Sequence, residues 1–126
     1  MTPAEITVVI PALNEERAIS LSVHSAISAG ATEVIVSDGG SRDHTAERAS
    51  EAGASSVVRS QPGRGVQMNA GAHLATGRFI LFLHADNKLS EQALRQICVH
   101  EDAVWGAFQQ QIDSRRRVYR LIEWGN

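Results

Sequence analysis

The clearest structural signal in the sequence is the stretch Arg78-Phe79-Ile80-Leu81-Phe82-Leu83-His84-Ala85-Asp86-Asn87, in which five consecutive apolar residues lead directly to a histidine and a carboxylate. A short run rich in aromatic and branched side chains is typical of a β-strand that is buried on both faces of a sheet. Ligands of open α/β sheets bind beyond the carboxyl ends of the strands. His84 and Asp86 stand at such an end, so we expect them to belong to a binding site.

The rest of the chain alternates between strand and helix patterns with short connections. Runs of branched apolar residues predict three earlier strands, over 6–10, 33–37 and 56–59. Helical spacing predicts helices between these strands and after the fourth, over 14–27, 43–52, 66–75 and 90–99. Asn14 is expected to cap the first helix. This alternation predicts a doubly wound, mainly parallel α/β sheet, in a single domain over 1–126.

Composition and charge narrow the classes of protein. The 126 residues are 43% hydrophobic and 21% charged with a formal net charge of −2, which gives no general attraction to nucleic acid or anionic membrane. Cys98 is the single cysteine, so an internal disulfide is excluded and a reducing compartment is expected. The first residues lack the layout of a signal peptide, and no apolar run approaches the roughly 20 residues of a membrane span. We therefore expect a cytoplasmic domain without a transmembrane segment or a nucleic-acid partner.

Several chemically active residues are expected to converge at one edge of the sheet. The first and fourth strands of a doubly wound sheet are commonly neighbours, which would place segment 11–15 beside His84 and Asp86. Asp38 would emerge at the same edge from the second strand, and the loop 63–65 from the third. Carboxylates accept hydrogen bonds from ribose and base, arginine pairs with phosphate, and a metal ion neutralises it. The crevice therefore suits a nucleoside diphosphate.

Other phosphate-binding folds lack their motifs in this sequence. The first strand is not followed by G-x-G-x-x-G, and G-x-x-x-x-G-K-[ST] does not occur. The interpretations as a dinucleotide oxidoreductase and as a P-loop ATPase therefore lose most of their support. A nucleotidyltransferase would share the sheet, but Pro11-Ala12-Leu13 stands where its glycine-rich, arginine-bearing turn is expected.

Three segments resemble the motifs of family 2 glycosyltransferases. Segments 9–16, 36–43 and 63–71 correspond to that family's P-x-x-N-E-E, V-D-D-G-S-x-D and G-[KR]-x-x-x-x-N-x-G segments, in the family's order and spacing. Segment 82–86 falls where its D-x-D segment belongs, and the wording D-G-G-S followed by H-A-D resembles a small bacterial subgroup of soluble members. The resemblance implies the GT-A fold, with its Rossmann-like nucleotide-binding half, and inverting transfer of a sugar from a nucleotide-sugar to an acceptor that the sequence does not identify.

The resemblance also implies roles for single residues. Glu15 would contact the ribose, Asp38 the base, and Arg64 the base or a phosphate. Asp86 would hold a divalent ion on the diphosphate, and His84 replaces the first acid of D-x-D. The remaining nucleotide-binding positions would be Pro11, Ala12, Leu13, Gly39, Asn69 and Ala85.

The sequence does not decide which metal ion, if any, the site binds. Residues i and i+2 share a face in extended backbone, so His84 and Asp86 could reach one ion, and a nitrogen–oxygen pair suits Mn²⁺ better than Mg²⁺. Lys88 argues against the ion, because its ammonium would partly replace it. Gly39, where many relatives have a second aspartate, leaves the identity of the base open.

Simpler explanations remain open for individual residues. Asp86 could belong only to an Asx turn, and His84 could bond to backbone. Glu15 could complement a helix dipole, Asp38 could close a turn, and Asn69 could be a helix-surface amide.

The acceptor half of such an enzyme is not expected within these residues. The family's base is a carboxylate well beyond D-x-D, whereas Glu101-Asp102 precedes the strand-like segment 104–112 and is predicted to end a helix on the surface. No catalytic base is therefore identified, and the alternative is a truncated nucleotide-binding module without transferase activity of its own. A helix predicted over 115–124 would be either a basic membrane-surface helix or, as we favour, an uncovered surface whose apolar patch of Leu121, Ile122 and Trp124 supports a homo-oligomer.

Overall fold

Strands and helices alternate along the chain in the computed structural model, which describes residues 2–99 and 117–120. After a short 3₁₀ helix at Pro3–Glu5 the elements are, in order, β1 (Ile6–Ala12), α1 (Ile19–Ser28), β2 (Glu33–Asp38), α2 (Thr45–Glu51), β3 (Ser56–Arg59), α3 (Arg64–Leu74), β4 (Phe79–Phe82), α4 (Ala93–Val99) and β5 (Arg117–Arg120). The α/β alternation predicted from the sequence is confirmed for the first four strands.

These strands form one parallel sheet in the order β3-β2-β1-β4-β5. The register pairs Ala12 with Asp38 and Val9 with Phe82, so β1 lies between β2 and β4. The predicted contact between the first and fourth strands is therefore confirmed. Strand order reverses between them, which is where open α/β sheets bind ligands.

The core lies in two layers, one on each face of the sheet. Val8 and Ile10 belong to one hydrophobic cluster together with Val23 of α1, whereas Val9 belongs to a second cluster with Met68 of α3. A Cβ atom added to Gly71 would lie 2.4 Å from Cγ1 of Val9, so this glycine allows α3 to pack directly on β1. Burial on both faces explains why the strands read as continuous apolar runs instead of alternating patterns.

The first helix starts later than the sequence predicts. It begins at Ile19, with Ala18 rather than Asn14 at the capping position. Asn14 has a positive φ of 53°, and its side-chain oxygen accepts a hydrogen bond from the backbone N–H of Arg42 in the loop after β2. The prediction of Asn14 as a helix cap is wrong because this side chain bonds to a neighbouring loop. In α3 the difference runs the other way, since Arg64 opens the helix instead of belonging to the preceding loop.

The described part of the tail is a strand and not a helix. Arg117–Arg120 forms β5 parallel to β4, so the helix predicted over 115–124 is wrong for these four residues. Pairing with the open edge of β4 satisfies the backbone there and outweighs a helical spacing of apolar residues. The pair Glu101-Asp102, the predicted strand over 104–112 and the apolar patch of the expected homo-oligomer lie outside the described residues.

Candidate functional site

A crevice opens at the carboxyl edge of the sheet, between the ends of β1 and β4 and the start of α3. Pro11 lies near the end of β1, His84 follows β4, and Arg64 is the first residue of α3. The crevice is narrow, with a cavity volume of about 10 Å³, and it is lined by Pro11, Arg64, Met68, Phe82, Leu83 and His84. The structure thus brings together three residues that the sequence predicts for the site, although they are up to 73 positions apart, from 11 to 84.

Asp38 ends β2 at the same edge with one carboxylate oxygen in use and the other available. The side chain is 1% exposed, and its Oδ1 accepts hydrogen bonds from the backbone N–H of Ser41 at 3.0 Å and from the Ser41 hydroxyl. Oδ2 has no hydrogen-bond partner among the described residues and lies 3.9 Å from Nε of Arg59. Buried carboxylate oxygens are normally satisfied by a donor, so Oδ2 is a candidate acceptor for a ligand, and it is shielded from solvent in this structure.

The loop after β1 is tied to the loop after β2 by hydrogen bonds between backbone N–H groups and side chains. Three donors lie in the first loop: Asn14 to Ser41 Oγ at 2.8 Å, Glu15 to Thr45 Oγ1 at 2.9 Å and Glu16 to Asp43 Oδ2 at 3.3 Å. Two lie in the second loop: Arg42 to Asn14 Oδ1 at 2.9 Å and His44 to Glu16 Oε2 at 3.1 Å. These bonds fix the backbone of Glu15 beside the crevice. The sequence interpretation missed this connection.

Glu15 and Asp86 bring two negative charges together at the edge of the sheet. Glu15 is half-buried, and its pKa is raised first by burial, then by the charge of Asp86 and then by that of Asp43. Asp86 itself is exposed. A half-buried carboxylate whose pKa is raised by a neighbouring negative charge favours a nearby cation or hydrogen-bond donors.

His84 and Asp86 lie in a turn that follows β4. The strand ends at Phe82, and the backbone N–H of Asn87 donates to the carbonyl of His84 at 3.0 Å. The argument that extended backbone puts His84 and Asp86 on one face is therefore wrong, because the backbone turns between them. Ala85 between them is buried, His84 is half-buried, and Asp86 faces solvent. Within residues 2–99 and 117–120, no group of three or more His, Cys, Asp or Glu side chains is placed to hold a metal ion.

Other residues predicted for the site are more peripheral. Leu13 is 42% exposed at the start of the loop after β1, Asn69 is half-buried within α3, and Lys88 is exposed beyond the turn. Gly39 is buried and donates its N–H to the carbonyl of Ala12 at 3.0 Å.

Gln67 is a residue that the sequence interpretation missed. It is 5% exposed and bonds to the backbone at the ends of β1 and β2. The sequence did offer one indication of its role. Gln67 directly precedes Met68 on the buried side of α3, where a polar side chain needs hydrogen-bond partners.

An open parallel sheet, covered on both faces and carrying carboxylates where its strand order reverses, defines the class of Rossmann-like α/β nucleotide-binding domains. The chain belongs to Glycosyl transferase family 2, whose sequence profile matches residues 7–124. The resemblance seen in the sequence motifs is thereby confirmed.

Curated relatives of the chain are similar over nearly all of its length. Uncharacterized glycosyltransferases of Mycobacterium tuberculosis and Mycobacterium bovis are each 34% identical to it over 119 residues, which is 94% of this chain and 52% of the relative. The chain therefore spans about half the length of the curated relatives that it matches.

Solved structures show the same GT-A fold. Residues 1–349 of Staphylococcus aureus TarS superpose with a TM-score of 0.69 at 23% identity, over 81% of this chain and 32% of TarS. Glucosyl-3-phosphoglycerate synthase of M. tuberculosis superposes with a TM-score of 0.62 at 31% identity, over 69% of this chain and 36% of the synthase. A structure of that synthase with Mg²⁺ and UDP gives a TM-score of 0.57 at 33% identity, over 64% and 32% of the two chains. In the part of this chain that the structure describes, no helix has the length and apolar character needed to cross a membrane.

Proposed function

We propose that the chain is the single donor-binding domain of a glycosyltransferase that moves a sugar from a nucleoside-diphosphate sugar to an acceptor. The observation that carries the proposal is the juxtaposition of Glu15 and Asp86 at the edge where Pro11, Arg64 and His84 line a crevice. Family membership supports glycosyl transfer as the reaction. The synthase that shares the fold has been solved with UDP and a metal ion, which supports a nucleoside diphosphate as the ligand of this crevice.

Each side of the crevice suits one part of such a donor. Oδ2 of Asp38 is a buried acceptor for an N–H group of the base, and Glu15 is an acceptor for ribose hydroxyls. Arg64 lies at the start of α3. Its positive charge can pair with a phosphate, and its guanidinium N–H groups can donate hydrogen bonds to the base. Pro11 lines the crevice, and the other nucleotide-binding positions of the proposal are Ala12, Leu13, Gly39, Asn69 and Ala85.

A divalent cation fits the turn after β4. Asp86 is exposed to solvent near the Glu15 carboxylate, and His84, which lines the crevice in the same turn, would supply a nitrogen. Since the described residues offer fewer than three clustered donors, the diphosphate oxygens and water would complete the coordination. When bound, the ion would neutralise charge that develops on the diphosphate as it leaves. The pair of nitrogen and oxygen donors favours Mn²⁺, whereas the related synthase has been solved with either Mg²⁺ or Mn²⁺.

We also propose that transfer inverts the anomeric centre by direct in-line attack, on an acceptor whose hydroxyl is deprotonated by a carboxylate outside the described residues.

Asp43 is a carboxylate near Glu15, but both of its oxygens accept hydrogen bonds, from Thr45 and from the N–H of Glu16. The Thr45 hydroxyl bond also lowers its pKa. Asp43 is thus a structural group rather than a base. This observation favours the second candidate, a nucleotide-binding module that transfers nothing on its own.

Calorimetry with a panel of nucleoside diphosphates, with and without Mn²⁺, tests the binding proposal. We expect one diphosphate to bind with an affinity that rises when Mn²⁺ is present, and Asp86→Ala to remove that rise. Glu51→Ala, which changes an exposed carboxylate on α2, is the matched control. Equal affinity with and without metal would refute the metal site, and no binding of any diphosphate would refute the donor site.

An assay of sugar transfer separates the two candidates. We expect the isolated chain to show negligible turnover with any pair of donor and acceptor. Robust turnover would show that the acceptor base lies within these 126 residues and would exclude the binding module.

A further inference from the structure

Gln67 is a buried side chain that makes all of its observed hydrogen bonds to backbone. Its Nε2 donates to the carbonyl of Ala12 at 2.9 Å and to that of Ser37 at 3.1 Å. Its Oε1 accepts from the backbone N–H of Gly63 at 3.2 Å. Both amide hydrogens and the amide oxygen are therefore used, at a site that is 5% exposed.

These bonds join three segments that are separate in the sequence. Ala12 ends β1, Ser37 lies next to the last residue of β2, and Gly63 precedes the first residue of α3. The same segments carry Asp38 and Arg64, which are assigned above to the base and the phosphate. They also carry Pro11, Leu13 and Gly39, which are further nucleotide-binding positions of the proposal. One side chain thus ties the start of α3 to the paired ends of β1 and β2, where the ladder has its last pair at Ala12 and Asp38.

Gly39 is shaped to receive this side chain. A Cβ atom at position 39 would lie 2.8 Å from Cδ, 2.9 Å from Oε1 and 3.0 Å from Nε2 of Gln67. Real Cβ atoms do not approach other atoms so closely, so any side chain at position 39 would push the amide off its three bonds. The absence of a side chain at Gly39 is therefore a packing requirement of Gln67.

We infer that Gln67 is a positioning residue of the nucleotide site, holding Gly63 and the start of α3 against the paired ends of β1 and β2 so that Asp38 and Arg64 address one ligand. The inference rests on the proposed function for the identity of that ligand. Gln67 does not itself contact the reacting atoms; it acts through the backbone to which it bonds. A side chain with only a stabilising role would affect unfolding without affecting the geometry of these three segments.

Hydrogen exchange and UDP binding of Gln67→Met in the otherwise unaltered chain test this inference. Methionine keeps the length and volume of glutamine but makes none of the three bonds. We expect amide exchange at 12–14, 38–40 and 63–65 to rise by about tenfold or more, and the affinity for UDP with Mn²⁺ to fall by roughly 10- to 100-fold at a temperature where the variant is folded.

Two control variants distinguish a positioning role of Gln67 from a general loss of protein stability. Gln96→Met makes the same substitution at an exposed site on α4 and should change neither measurement. Thr7→Val removes a hydroxyl that bonds to Glu33 and Gly77 at the opposite end of β1, so it should lower stability without changing UDP affinity. If Gln67→Met only lowers stability as Thr7→Val does, with exchange of the three segments and UDP affinity unchanged, the inference is wrong.

A double-mutant cycle tests the role of Gly39 and guards against misfolding of Gln67→Met. Gly39→Ala should reproduce the raised exchange and the lost affinity, because it displaces Gln67. In a Gln67→Ala background the same change should add little, so the two effects should be strongly non-additive. Additive effects would overturn the link between the two residues. If the unaltered chain binds no nucleoside diphosphate, the proposed function fails, while the exchange measurements still decide whether Gln67 holds the three segments.

Discussion

Burial and the negative charge of Asp86 raise the pKa of Glu15, although the two carboxylates follow different strands, β1 and β4. The fold therefore brings a half-buried negative charge on Glu15 close to an exposed one on Asp86. A cation or a set of donors on a ligand would relieve the repulsion between them.

Glu15→Gln should therefore stabilise the metal-free protein at neutral pH. Because the folded-state pKa of Glu15 is raised above the ordinary value of 4.5, the folded chain binds this proton more tightly than the unfolded chain. The free energy of unfolding then decreases as pH rises through the window from 4.5 to the raised pKa. Chemical denaturation in EDTA should show Glu15→Gln more stable than the unaltered chain at pH 7, with the gap closing towards pH 4. Lower stability of the variant at pH 7 would contradict this.

Asp38→Asn should weaken recognition of the base without weakening recognition of the diphosphate. The amide oxygen keeps the bonds that Oδ1 accepts from Ser41, while an uncharged NH₂ group replaces the Oδ2 acceptor beside Arg59. We expect calorimetry to show UDP affinity lower by about tenfold or more and the affinity for pyrophosphate with Mn²⁺ unchanged. An equal loss for both ligands would mean that Asp38 acts through the fold and not through the base.

Local sequence patterns were sufficient to predict the sheet, and they also led to the edge at which we propose the donor site. Apolar runs such as 79–83 predict strands because both of their faces are buried, and alternation with helices restricts the topology to a parallel sheet. The contact between β1 and β4 then follows from the doubly wound order, whereas the register that pairs Val9 with Phe82 comes from the structure. The roles of single residues in binding came from motif resemblance, and they remain predictions.

Local sequence patterns could not predict contacts between residues that are far apart in the sequence. Asn14 has the chemistry of a helix cap, but its oxygen bonds to Arg42, which is 28 positions away. In the sequence Gln67 looks like an ordinary helix residue, and only the structure shows that it bonds to three backbone segments. The edge of β4 likewise determines that Arg117–Arg120 is a strand, because backbone pairing there outweighs local helical spacing.

His84→Asp should shift the metal preference of the site. In the proposed site His84 contributes a nitrogen beside the oxygen of Asp86, and replacing it with a carboxylate makes the donor set entirely oxygen, which suits Mg²⁺ better. We expect the ratio of UDP affinities measured in Mn²⁺ and in Mg²⁺ to fall severalfold. His24→Asp, an exposed histidine on α1, is the control and should leave the ratio unchanged. An unaltered ratio in His84→Asp would show that His84 is not a ligand.

Gly77→Ala should be strongly destabilising, because Gly77 lies against the backbone at the amino end of β1. An added Cβ atom would lie 2.7 Å from the carbonyl oxygen of Glu5 and 2.8 Å from the backbone nitrogen of Thr7, and neither atom can move without distorting the strand. We expect a loss of about 2 kcal/mol in the free energy of unfolding, measured by urea denaturation. Gly65→Ala is the matched control: its Cβ atom meets nothing within 4 Å in the first turn of α3, so a gain of about 0.5 kcal/mol is expected. Similar losses in both variants would show that crowding at Gly77 is not the cause.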